Sequence, residues 1–301
     1  MVAPRSPFGR VERHRAPRVL ARLSAVLIPV AVPVTRGHHA GGQLRSRWSR
    51  TRGLLLFALI ASPWALVVLC AGAVTTAAAV GGFTAWLPVP VLLSAAVAVA
   101  ILATTGRLVF EPPRWARVAA LAGGGQLVLG VFPAVGLAVG AGGVATTVAT
   151  AVLVLSLVVV VTGVVVAARA MRTLLTPVSP ELGATPFTVT LRARLHDTGL
   201  VSGSVSVSSQ GIEWAARRHR AVGAGSVHFR DLRDARPTTV AGTAAVGWLS
   251  LSDGTAAHAL PGPGVLLDIG STTVLLPVDD PELFVALLSS RVAAWRSASP
   301  G

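Results

Sequence analysis

The sequence predicts an α-helical polytopic membrane region of four transmembrane helices, followed by a small C-terminal β-barrel or sandwich closed by one helix. Two observations carry the helical half. The stretch between Arg52 and Arg107 holds 54 residues without a charge, and that between Arg117 and Arg169 holds 51. A spanning helix needs about 20 apolar residues, so each stretch fits two spans and a turn. A third observation carries the β half: past residue 185 the pattern changes to apolar–polar alternation broken by turn residues. Composition agrees, because 52% of the 301 residues are hydrophobic and only 13% charged, about half the charge of an ordinary soluble domain.

The net charge of +14 is unevenly placed. Residues 1–52 carry eleven Arg and one acid, residues 53–179 five Arg and one acid, and residues 180–301 ten of each. The C-terminal unit is therefore neutral and lacks the concentrated basic footprint of a nucleic-acid-binding module, so no nucleic-acid partner is expected. The chain has no Lys and no Tyr, which fits codon bias in a GC-rich bacterial genome. The lone Cys70 rules out an internal disulfide and a multi-Cys metal site. No cofactor and no metal are expected.

Residues 1–52 read as a basic, Arg-rich, disordered arm. Its apolar stretch LSAVLIPVAVPV, residues 23–34, is too short and Pro-rich to span. An interfacial segment, a cleaved targeting sequence and an upstream start codon are the other readings of the arm. His38–His39 reads as a loop dipeptide, with no acid or Cys nearby to complete a metal site.

The membrane region, 53–170, places helices at about 54–80, 88–106, 118–138 and 146–168, with turns at 81–90 and near 139–147. Pro133 is expected to bend or shorten the third. The Arg-bearing segments (the arm, 107–117, and Arg169 with Arg172) fall on one side for a four-helix count. Short Arg-rich loops stay in the cytoplasm, so both termini are expected there, in a multi-pass protein of a bacterial cell membrane. The predicted spans hold no ionisable residue, which argues against proton or ion coupling. Ala122, Gln126, Gly130, Ala134, Ala138 and Gly142 form a ridge of small residues around one amide. It reads as packing of the third helix in its own bundle; a homo-oligomer seam and a polar spot facing a substrate are the functional alternatives.

A Pro-containing linker, 171–186, leads to the C-terminal unit, 187–297. Strands are expected at 185–195, 203–209, 212–217, from 226, and at 246–252, 264–270 and 272–278, seven in all, with a hairpin turn at Gly270–Ser271 and Gly223–Ser226 as a loop. Asp280 caps a final helix with Pro281 at its first position, running to about Arg296 and carrying Leu283, Leu287, Leu288 and Val292 on one stripe. Asp279 and Asp280 are cap residues rather than paired catalytic carboxylates, and the sequence contains no nucleophile-elbow, phosphate-loop or zinc-protease motif. The unit is expected not to be an enzyme.

The segments SVSVSSQGIEWAARRH, SVHFRDLRDARPTTV and GPGVLLDIGSTTVLLPVDDPELFVALLSSRV resemble a bacterial PH-like domain appended to membrane helices, over residues 187–296. The resemblance implies a module that binds lipid headgroups or protein segments, or assembles oligomers. The family's lipid site uses basic residues near the first strand loop. Here Arg217, Arg218, His219 and Arg220 are the candidate cluster, between the second and third strands as counted from the pattern. An anionic-lipid contact beneath the bilayer is the functional reading; a solvated basic turn balanced by Asp231 and Asp234 is the plain one. The expected function is a non-enzymatic integral membrane protein presenting a PH-like module for protein or lipid interaction. A small permease or transport accessory protein is the competing expectation.

Overall fold

The computed structural model describes residues 28–35, 40–196, 200–242, 244–270 and 272–298. Four helices long and apolar enough to cross a membrane come first: α1 (Gly42–Gly81), α2 (Val89–Leu108), α3 (Pro112–Ala141, opening with a 3-10 turn) and α4 (Val144–Leu175). They are antiparallel neighbours in chain order, so the starts of α1 and α3 and the ends of α2 and α4 share one end of the bundle. Arg45, Arg47, Arg50 and Arg52, the 107–117 segment, and Arg169 with Arg172 lie at that end. At the other end Gly81 packs directly on Ala141.

The bundle has an inverted surface. Among the described residues, all but four of the exposed large apolar side chains lie between Phe57 and Val165, the four being Val30, Leu200, Val222 and Val246. On α4 the exposed apolar side chains run from Val144 to Val165, about 32 Å at the helical rise, which matches a hydrocarbon core of about 30 Å. Many residues inside the bundle are small, among them the buried Ala73, Ala77, Ala134, Ala138, Ala145 and Ala149, alongside larger ones such as Leu59, Leu66 and Val131. Without a hydrophobic drive between helices in lipid, close approach of small residues holds them together.

Both Pro63 in α1 and Pro133 in α3 sit within continuous helix. In each case a π turn ends two residues earlier, Phe57–Ala61 and Leu127–Val131. The wider turn moves the carbonyl that the proline ring would strike. The third helix is therefore neither shortened nor broken at Pro133; it continues to Ala141.

Among the described residues, the C-terminal unit has nine strands rather than seven. Strands β1 (Val189–Arg192), β2 (Val201–Val207), β3 (Gly211–Arg218) and β4 (Ala221–His228) form one antiparallel sheet in chain order. Strands β5 (Asp234–Val240), β8 (Gly262–Asp268) and β9 (Thr273–Leu276) form a second, and β6 (Val246–Ser250) with β7 (Ala256–Ala259) a third. The chain just past β1 meets the third sheet through a bridge from Leu195 to Ala259 and the His196 amide on the His258 carbonyl, and the Ser252 amide after β6 donates to the Val222 carbonyl of β4 at 3.1 Å. Among the described residues the sheets are open and no barrel is closed. The Gly223–Ser226 stretch expected as a loop is the middle of β4, where Gly225 leaves room for the Trp214 indole opposite it. The strand expected from Ser226 ends at His228 and pairing resumes at Asp234. Helix α5 (Pro281–Ala298) follows, with Asp280 Oδ1 accepting the Leu283 amide at 2.9 Å. Its buried side includes Phe284, Leu287, Leu288 and Arg291; Leu283 is not on it.

The two halves share one core. Helix α1 begins at Gly42, inside the segment expected to be disordered, and its 40 residues span about 60 Å, twice the hydrocarbon thickness. On the part beyond the lipid-facing surface, Trp48 is 1% exposed and packs against Phe187 with ring centroids 5.1 Å apart. Phe110, just past α2, meets the same ring at 6.2 Å, and its carbonyl accepts the Thr188 amide at 2.9 Å. The stretch expected as a free linker is packed: Leu182, Gly183, Ala184, Thr185 and Phe187 are buried. Residues 28–35 lie across it. Ile28 is fully buried, its carbonyl accepts from Arg52, the Pro29 carbonyl accepts from Trp48 Nε1, and the Thr35 amide reaches the Ala184 carbonyl. Arg47 donates to the Pro177 carbonyl at 2.7 Å. Two Arg of the basic arm thus serve as clamps on backbone. Residues 1–27 and 36–39 of the arm, His38 and His39 included, lie outside the described residues.

Replacing Trp48 with Ala removes the largest side chain of this junction and should lower the unfolding free energy of the full chain in micelles by about 3–5 kcal/mol. Trp86→Ala, at a site 75% exposed on the opposite loop, should leave the unfolding midpoint in micelles almost unchanged.

Candidate functional site

Where the β-unit meets the bundle there is a cleft of about 450 Å³. One wall is the connection between α2 and α3: Phe110, Glu111, Pro113 and Arg114. The other is the first sheet. Register places Thr190 opposite Ser206 and Ser206 opposite Glu213, so hydroxyl, hydroxyl and carboxylate lie in a row across three strands. Thr188, Ser208, Ser209 and Gln210 extend this polar wall toward the bundle. Alternation in the strands sends Val189, Val205, Val207, Ile212 and Trp214 inward to the core, which leaves Thr and Ser outward.

Five of the cleft's polar side chains have partners. Thr190 and Ser206 share a hydrogen bond of 2.9 Å, Arg114 pairs with Glu111 at 2.8 Å, and Ser208 Oγ accepts the Gln210 and Gly211 amides in the β2–β3 turn. The lining holds two carboxylates, Glu111 and Glu213, against one guanidinium, Arg114. Phe110, Pro113 and Pro186 add apolar faces. Glu111 lies ten residues before Leu121, the first strongly exposed apolar residue of α3, or about 15 Å along the helix. The cleft therefore lies beyond the exposed apolar surface of the bundle, on the side of the β-unit.

Beneath it, Arg291 of α5 is 2% exposed. Its guanidinium donates to the carbonyls of Leu182 (2.9 Å), Phe187 (2.8 Å) and Ser208 (3.2 Å). Burial pushes its pKa down to about 10, which leaves it charged at neutral pH. Three carbonyl dipoles stand where a carboxylate would usually be. Gly183 permits this: a Cβ there would collide with the Leu287 carbonyl and Ser290 of α5.

The four residues singled out as a basic cluster do come together, but elsewhere. Arg217, Arg218, His219 and Arg220 form the tip joining β3 to β4, not the turn between the second and third strands. His219 takes a φ of +51°, and its carbonyl accepts from Arg217 at 2.9 Å. The acid facing this tip is Asp253, neither Asp231 nor Asp234: Arg218, His219, Arg220 and Asp253 line one shallow surface, while Asp231 pairs with Arg230. The Thr255 hydroxyl and amide hold the Asp253 carboxyl below its ordinary range, with Arg218 contributing. The tip is a strand length, about 20 Å, from the β2–β3 turn at the cleft.

The helix ridge is likewise spread. Gln126, Gly130, Ala134 and Ala138 are buried, and Ala122 and Gly142 half-buried. Gln126 Nε2 donates to the Pro63 carbonyl at 3.0 Å and to the Ser94 carbonyl at 3.1 Å, joining α1, α2 and α3. Gly130 lets α2 approach, since a Cβ would meet Ser94 and the Pro90 carbonyl. The ridge faces partners within this chain. Sequence reasoning found it because its four-residue spacing lies on one helix. It missed the cleft, whose walls are about 80–100 residues apart in the chain. Among the described residues, no three His, Cys, Asp or Glu side chains gather as a metal site. No protein-family model, curated protein or solved structure matches the chain.

Arg291→Leu leaves three buried carbonyls without their donor and should destabilise the protein by about 3 kcal/mol or more, read as a lowered midpoint of thermal unfolding. Arg291→Lys keeps the charge but not the fork and should fall between the two.

Proposed function

We propose that this is a non-enzymatic integral membrane protein that holds a PH-like module in fixed register against the cytoplasmic face of its membrane, where the junction cleft binds polar lipid headgroups. The single observation that carries the reading is the shared core through Trp48, Phe110 and Phe187. A module on a loose tether samples many orientations, whereas one seated on protruding helix ends keeps one cleft facing the membrane surface, within reach of a headgroup that extends from it. Support for the PH-like reading is the order of four antiparallel strands, further sheet strands and a terminal helix. Cytoplasmic placement is supported by Arg-rich segments gathered at the module's end of the bundle. The excess of carboxylate in the cleft favours a neutral, hydroxyl-bearing headgroup over a phosphate-rich one. Prolines and a phenyl ring beside hydroxyls suit the mixed faces of a sugar or polyol.

The test is lipid retention. The full chain is reconstituted in nanodiscs with phosphatidylcholine alone or with added glycosyl diacylglycerol or phosphatidylglycerol, and the lipid carried through delipidation is measured by mass spectrometry. The glycolipid should be retained most. Thr190→Val combined with Ser206→Ala removes two hydroxyls and should weaken retention about 10–30-fold, near 1 kcal/mol for each hydrogen bond. Replacing Arg217, Arg218 and Arg220 together by Ala should leave it unchanged. Equal retention of all three lipids by the wild-type chain would overturn the headgroup reading.

A further inference from the structure

The bundle consists of two helical hairpins of like construction, α1–α2 and α3–α4. In each, the first helix carries a π turn followed two residues on by proline, and the two prolines, Pro63 and Pro133, are 70 residues apart. Paired proline interruptions at corresponding places in two halves of a membrane protein point to a site between the halves.

Between these halves is a small enclosed cavity, lined by all four helices: Ala58, Ser62, Ile101, Ala122, Gln126 and Gly163 among others. Gln126 is fully buried. Its Nε2 is committed to the Pro63 and Ser94 carbonyls, while its Oε1 has no hydrogen-bond partner. An acceptor left so in an apolar interior costs about 1–3 kcal/mol. Ser62 is the other polar side chain on the cavity wall. Pro63 has no N–H to offer the preceding turn, and Ser62 Oγ donates its proton to the Ala58 carbonyl at 2.9 Å. That leaves Ser62 Oγ with lone pairs only. Gly163 keeps the opposite wall back, since a Cβ there would stand 2.9 Å from Ser62 Oγ.

Two acceptors, no spare donor and no charge define the occupant: a neutral molecule with two donor protons. The cavity has about 10 Å³ of room, the lower limit for one water. We infer that the seam between the two hairpins is a hydration site, at which one water molecule donates to Gln126 Oε1 and Ser62 Oγ, inside the lipid-facing span. This goes beyond the headgroup reading and does not depend on it.

The test uses the full chain in bilayers of deuterated lipid. Gln43 and Gln210, both exposed, are changed to Asn, which makes Gln126 the sole glutamine. With 13C-labelled Gln and Cys, solid-state NMR follows magnetisation transferred from water protons. Transfer to Gln126 Cδ should build up faster than transfer to Cys70 Cβ, which is buried in the same bundle. Ala122→Val takes the space without offering a donor and should slow Gln126 to the Cys70 rate. Ser62→Ala removes one acceptor and should slow it in part. Transfer to Gln126 in the parent chain no faster than to Cys70 would overturn the inference. So would fast transfer that persists in folded Ala122→Val, because it would then come from exchange of the amide protons alone.

Discussion

Phe187 is where the two halves of this protein become one. Its ring lies against Trp48 of α1 and Phe110 after α2, and its carbonyl is held by Arg291 of α5. Side chain and backbone of one residue therefore fasten the β-unit to the helices on one side and to its own closing helix on the other. The segment around it has little regular structure, so its carbonyls need partners from outside. Arg291 supplies them with a rigid fork that reaches three oxygens from two separate stretches of chain, which a point charge on a flexible stem could not do as well.

That arrangement changes the physical character of the linker. A Pro-containing stretch in solvent sets only a maximum separation between domains. Here Leu182 and Phe187 are buried, Gly183 touches α5, and residues 28–35 cross over the top. The cleft owes its shape to this. One wall belongs to a loop between spanning helices and the other to a sheet, and only a fixed junction keeps them facing each other.

The four-helix half follows a different pattern of contacts. Its interior is rich in small residues, so single polar side chains have large local effects. Gln126 ties three helices by two carbonyl contacts, and Ser62 satisfies the carbonyl that Pro63 leaves without its backbone donor. The π turns before Pro63 and Pro133 keep both helices continuous where a plain α-helix would kink.

The sequence by itself determined the four long apolar helices, the turns between them, the Arg-bearing end, the Asp280 cap and the small-residue ridge around Gln126. Each depends on charge, periodicity or spacing within one element, which a linear pattern records. It also showed alternation in the β-unit, but not all its strands: Gly223 and Gly225 disguise β4 as a loop, because their lack of side chains serves Trp214 and the neighbouring strand. Only the tertiary structure decided that α1 starts at Gly42, that Ile28, Val32 and most of residues 182–187 are core, that the sheets stay open, and that the Arg217–Arg220 tip lies a strand's length from the cleft. Those facts depend on which distant surfaces meet. Trp48 and Phe187 are 139 positions apart in the chain, and no local preference of either records that they touch.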